Sequence, residues 1–179
     1  MPFASNTPGS KLDRAIVAYL LTLGAAYTSA NTCPANYNVD NTYPNVTVGC
    51  SSWEASPLYV GNQRCQFTVR FEFSAVQAVG DKSQAARIAL DAFVGAVTDA
   101  LSLTDDNQTL NKTCSLINEA AYALAAAQPV TDGDLADFTM IMLMNNGGAR
   151  GKPDTEGTAW VEEFNYIADI ACVNCAQNQ

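Results

Sequence analysis

The stretch "CQFTVRFEFSAV" (residues 65–76) alternates strictly: Phe67, Val69, Phe71 and Phe73 fall on one side, and Thr68, Arg70, Glu72 and Ser74 on the other. Successive side chains of a strand point to opposite faces, so the pattern predicts a strand with one buried and one polar face. A face this apolar needs a second layer over it. The segment that follows, "GDKSQAARIALDAFVGAVTDALSL", is suited to supply that layer. Asp81 or Ser83 is placed to cap a helix, and Ile88, Ala92, Phe93, Ala96, Val97, Ala100 and Leu101 trace one face of it.

Around this pair the remaining elements fall into order. "NVTVGC" (residues 45–50) reads as a short strand, and "SSWEASPLYVGNQR" as a connection with one extended turn near Tyr59. "CSLINEAAYALAAAQ" (residues 114–128) reads as a shorter helix stopped by Pro129. Two strands close the chain, "DFTMIMLMNN" (137–146) and "TAWVEEFNYIADIAC" (158–172), with Trp160, Phe164, Tyr166, Ala168 and Ile170 on one face of the second. "GGARGKPDTEG" between them predicts an extended loop over 147–157 at the tip of a long C-terminal hairpin. The fold class expected is α+β: a small, mostly antiparallel sheet with helices packed on one face. It is expected as one domain over residues 1–179, with a flexible arm at 1–9.

"SKLDRAIVAYLLTLGAAYTSA" (residues 10–30) has two competing readings. Basic residues, an apolar run and small residues at the end are the ingredients of a secretory signal. Against that, Ser10 and Asp13 resemble a capping box with a shorter acid, and Pro8-Gly9 is a turn signal. Ile16, Leu20 and Leu23 repeat at helical spacing. The segment is therefore expected to be the first helix of the mature fold, over 10–28, with those three residues buried.

The chain carries 9 basic and 18 acidic residues, a net charge of −9, which disfavours nucleic acid as an adhesive partner. It contains no histidine, so Ser-His-Asp and Cys-His catalysis are excluded. Cysteines stand at 33, 50, 65, 114, 172 and 175. Cys172 and Cys175 form a lone CxxC, whereas a structural zinc site needs four ligands. Mostly reduced thiols are expected. Three disulfides, in any of about 15 connectivities, are the alternative, and the sequons at Asn45, Asn107 and Asn111 would suit that secreted reading.

Motifs for chemistry fail one by one. "NGGARGKPD" lacks the first glycine of a phosphate loop, and Pro153 follows Lys152. Glu162 and Glu163 are adjacent on a strand and so point to opposite faces. Asp132, Asp134 and Asp137 lack calcium-loop spacing and suit turns and caps. Met140, Met142 and Met144 share a strand face and suit core or interface packing. No nucleophile, base and orienting group come together, so neither an enzyme nor a bound metal or cofactor is expected. Gly147, Gly148, Arg150 and Lys152 are the candidate partner-contact residues, because the loop tip concentrates scarce positive charge on an acidic chain.

The order of elements resembles the tail terminator and related neck proteins of long-tailed bacteriophages. The residues that carry the likeness are the opening helix "LDRAIVAYLL", the entering strand "YPNVTVG", the strand-to-helix run "CQFTVRFEFSAV" to "QAARIALDAFVGAVTDAL", and the closing "WVEEFNYIADI". The resemblance implies a structural virion protein, made in host cytoplasm. It would form a ring, usually a hexamer, that terminates the tail tube and joins it to the head connector. The tail tube protein and the connector protein would be its partners, with no membrane. DNA would pass through without specific binding, and an acidic lumen would not retain it. A tail-completion or head–tail stopper protein has the same texture, and a secreted, disulfide-stabilised binding module is the competing class.

Overall fold

The computed structural model describes residues 7–23, 30–32, 45–58, 60–74, 83–103, 112–153 and 159–172, with some side chains near segment ends left out. Cys33, Tyr59, Asn107, Asn111 and Cys175 lie outside these residues. Its elements are α1 (Pro8–Thr22), β1 (Ala30–Thr32), β2 (Asn45–Ala55), β3 (Gln63–Ser74), α2 (Ser83–Ala100), α3 (Lys112–Ala127), a 3-10 turn (Gly133–Asp137), β4 (Phe138–Pro153) and β5 (Ala159–Cys172). The strands form one sheet in the order β1-β2-β3-β5-β4. Every neighbouring pair is antiparallel except β1 and β2. The fold is α+β, with its helices packed on one face of the sheet and a long hairpin of β4 and β5 at the end.

α1 begins earlier than the spacing predicted. Thr7 is the cap, its hydroxyl accepting the Ser10 amide at 3.2 Å, and Pro8 occupies the first turn. Proline suits that position because the N–H it lacks would have no helical partner. The Pro-Gly pair read as a turn is thus inside the helix, and both residues are buried instead of forming part of a flexible arm. Leu12, Ala15, Ile16, Tyr19 and Leu20 make the buried stripe. Leu23 lies past the last turn and is 37% exposed, so its expected burial does not occur. Residues 24–28 of the expected helix lie outside the described residues.

One core joins α1, α2, α3 and the apolar face of the sheet. Phe67, Val69 and Phe71 of the alternating strand are buried as the pattern required, and Phe67 stacks on Tyr166 at 5.2 Å. The α2 face is rotated from expectation. Val94, Val97 and Leu101 are buried, while Ile88, Ala92 and Ala96 are exposed. Phe93 packs edge-on to Phe71 at 5.9 Å, which sets the helix on that side. The Ala100 carbonyl then accepts both the Tyr19 hydroxyl (3.0 Å) and the Thr113 hydroxyl (2.9 Å), tying the end of α2 to α1 and to the start of α3.

The acidic run after α3 has a structural partner. Arg14 of α1 donates to Asp132 at 2.8 Å and, through two nitrogens, to Asp134 at 2.9 and 2.6 Å. Turn and cap roles were expected, but Asp132 makes no side-chain cap bond. Instead the two acids fasten α1 to the 3-10 turn. The Arg14 guanidinium offsets the burial of Asp134 and holds its carboxyl below the usual range.

Candidate interaction surface

The expected contact loop at 147–157 is largely strand. Residues 147–153 belong to β4, and 154–157 lie outside the described residues. β4 is an edge strand with irregularities between Met140 and Met142, Asn145 and Gly148, and Ala149 and Lys152. Bulges of this kind interrupt an edge that would otherwise template pairing with another chain. Gly147 has φ of +95°, and its amide donates to Asn145 Oδ1 at 2.7 Å. Gly148 is needed for packing: a Cβ there would lie 2.7 Å from Phe164 Cδ1 and 2.8 Å from the Glu163 carbonyl. Arg150 falls within the last irregularity, and Lys152 pairs in register with Val161. The four candidate residues are therefore brought together on a bulged edge strand, with the glycines serving geometry there.

The same bulges break the methionine stripe. Met140 pairs with Ile170 and is buried, but Ile141 is an extra residue, so Met142 pairs with Asp169 and Met144 with Ile167 on the other face. Asn118 of α3 clamps the strand just before this shift. Its side-chain amide donates to the Met140 carbonyl at 3.1 Å, and its carbonyl accepts the Met140 amide at 2.7 Å.

A more prominent surface lies where a mere connection was expected. β2 runs on to Ala55, and residues 56–62 turn back into β3 with the Ser56 amide bonded to the Asn62 carbonyl at 2.9 Å. Gly61, at φ of +85°, supplies the left-handed residue of that turn. β1 pairs only with Val46–Val48, and Ser51–Ala55 are exposed. The tip carries Leu58, 63% exposed, and Val60, wholly exposed, with the partly exposed Trp53 at its base. The available signal was composition: four large apolar residues crowd into "WEASPLYV" with neither helical nor strand spacing to bury them.

The polar face of the sheet carries matched charges. Arg64 grips Asp169 through two nitrogens at 3.0 and 2.9 Å, and Arg70 bridges Glu72 at 2.8 Å and Glu163 at 3.0 Å. Asp169 is wholly buried beneath its partner. Glu162 pairs with Phe71 on the apolar side and is buried, so the adjacent acids do point apart. Among the described residues no three metal-ligating side chains are grouped. No helix among them is long and apolar enough to cross a membrane. Asn45 is buried, and its amide donates to Thr47 at 3.3 Å and to Glu72 at 3.5 Å, so that sequon is closed in the folded chain.

Set beside known proteins, the chain matches no family model, and no curated protein shows significant similarity to it.

Proposed function

We propose that this chain is a structural assembly protein that forms a closed homo-oligomeric ring, and more specifically a ring at the head–tail interface of a long-tailed bacteriophage. There it would terminate the tail tube and join it to the connector. The observation that carries the proposal is the β2–β3 hairpin. Its apolar tip has no core to enter, and a monomer gains nothing by presenting Leu58 and Val60 to water. A second copy of the chain offers a face to bury them. A heterologous contact repeated around an axis closes into a ring. The layout of helix, strands, long helix and closing hairpin supports the tail-terminator reading, and the net charge of −9 suits a lumen through which DNA must pass unheld.

The secreted binding module is a second reading because Cys50 and Cys65 stand on neighbouring strands against the same core. The buried Asn45 weighs against it, since no glycan fits there. Native mass spectrometry and light scattering on purified protein test the first reading. A closed ring, expected at about six copies, supports it. A monomer at every concentration overturns it.

A further inference from the structure

The two edges of the sheet are finished differently. β4 closes one of them. Asn118 takes up the Met140 amide and carbonyl, which point away from β5, and irregularities break the strand further on. Such devices keep an edge from pairing with another chain. β2 forms the other edge wherever β1 does not reach. β1 pairs with Val46–Val48, so among the described residues Ser51–Ala55 have a partner strand only in β3, and all of them are exposed. The free backbone groups of this half follow from the ladder. In an antiparallel pair, residues bonded to the partner alternate with residues whose N–H and C=O point away. The Ser56 amide bonds to the Asn62 carbonyl, and the register runs unbroken from Ala55 back to Ser52. Ser52, Glu54 and Ser56 are therefore turned to β3, and the backbone groups of Trp53 and Ala55 are turned to the open edge.

We propose that this edge pairs antiparallel with the same edge of a second copy, centred on Trp53, in a two-fold dimer that precedes the ring. Only its place before the ring rests on the assembly reading above. Opposed residues of antiparallel strands share a face, and the sequence narrows the register. Centring on Glu54 sets two like charges directly opposite each other, which is destabilising. Centring on Ala55 sets Trp53 opposite Pro57, which has no N–H to give. Centring on Ser52 sets Ser56 opposite Val48, whose edge β1 already occupies. Centring on Trp53 avoids all three. The two Trp53 residues then exchange both backbone bonds, and their partly exposed rings meet across the axis. Ser52 of each copy lies opposite Glu54 of the other, and Leu58 is carried toward the end of the other copy's β1. The dimer thus takes the tip that a ring neighbour would take, so dimer and ring exclude one another. A two-fold contact closes at two copies instead of propagating, and it covers an edge otherwise open to aggregation until assembly.

The test follows the full wild-type chain through a dilution series by native mass spectrometry, with residue-resolved amide hydrogen exchange at each concentration. The expected result is a two-copy species in which the Trp53 and Ala55 amides gain protection as concentration rises. The Glu54 amide, already bonded to β3, should be protected throughout. Charge at position 52 reads the register, because symmetry brings it beside Glu54 twice. Ser52→Glu should weaken the dimer about tenfold and Ser52→Lys should strengthen it, both effects shrinking as salt rises. A two-copy species indifferent to charge at position 52, or one in which Trp53 and Ala55 exchange freely, overturns the proposal. Rings that dissociate straight to monomers overturn it too, and leave the ring reading standing. Dimers that show the expected exchange and never yield rings support it, and overturn the ring reading instead. The wild-type exchange pattern decides the matter even if a position 52 variant fails to fold.

Discussion

The two halves of β2 share a strand and a partner but not an environment. Asn45–Val48 are buried and Ser51–Ala55 are exposed, although β3 pairs with both. Hydrophobicity does not separate them, since Trp53, the largest apolar side chain of the strand, lies in the exposed half. Coverage does. β1 flanks only Val46–Val48, and α1 lies over the sheet there. Pairing therefore makes the strand, while layering decides which half carries stability and which half is left for contacts. Cys50 marks the seam.

The largest expected effect comes from breaking the covering layer. Leu20 of α1 is wholly buried. Leu20→Asp places a carboxylate in the core without a partner, a cost expected to exceed about 4 kcal/mol. No cooperative urea transition should remain by circular dichroism. Leu23→Asp, just past the end of the same helix, should change stability by less than about 0.5 kcal/mol. Equal losses from the two would show that burial along α1 is not what holds the covered half.

The seam itself titrates. Burial raises the Asp13 carboxyl from 3.8 to about 7, although it accepts the Cys50 amide, and its Oδ1 has no hydrogen-bond partner. The folded state therefore binds a proton that the unfolded state releases between about pH 4 and 7. This group's contribution is best below pH 4 and declines as pH rises through that window, by at most about 1.4 kcal/mol per pH unit. Asp13→Asn should flatten the slope, leaving the variant more stable than wild type at pH 8 and equal to it near pH 4. Denaturant midpoints across the range read this directly. Parallel slopes would mean that Asp13 is solvated and the seam is open.

In the covered half, Val48→Ala should cost about 2 kcal/mol, from two lost methyl groups and the space they leave. A cost under about 0.5 kcal/mol would place Val48 with the exposed residues of its own strand.

What was legible in the sequence follows the same division. The α1 stripe and the β3 alternation were readable because a helix or strand under a layer repeats at its own period. Thr7 was readable in principle, because threonine before proline is a helix-start signal, but Pro-Gly is also a turn signal and the competition went the wrong way. The β4 bulges were not readable. One extra residue at Ile141 inverts the side chains up to Asn145, the irregularity between Asn145 and Gly148 turns them back, and only the glycines at 147 and 148 hinted at irregular backbone. Contacts that depend on tertiary placement left no local trace. Arg14 meets Asp132 and Asp134 across more than a hundred residues, Asn118 meets Met140 from another layer, and Cys50 and Cys65 border one core from neighbouring strands. The apolar tip at Leu58 and Val60 was visible as composition but carried no period, so it read as a connection.

The smallest effect on stability should accompany the largest effect on assembly. Leu58 and Val60 are exposed on the turn, and their side chains give the monomer little contact to lose. Leu58→Ser with Val60→Ser should therefore shift unfolding by less than about 0.5 kcal/mol. If the tip is seated in a neighbour, the same pair should lower the ring population at least tenfold at fixed concentration, because two apolar anchors leave a desolvated contact. Arg150→Glu with Lys152→Glu changes the other surface, on the bulged edge of β4. Charge reversal there acts mainly on encounter, so its effect should shrink as salt rises, whereas the tip variant's should not. Light scattering of both variants across ionic strength separates the two surfaces. Loss of rings only in the charge variant would return the contact to β4, and intact rings in both would leave neither surface at the subunit boundary.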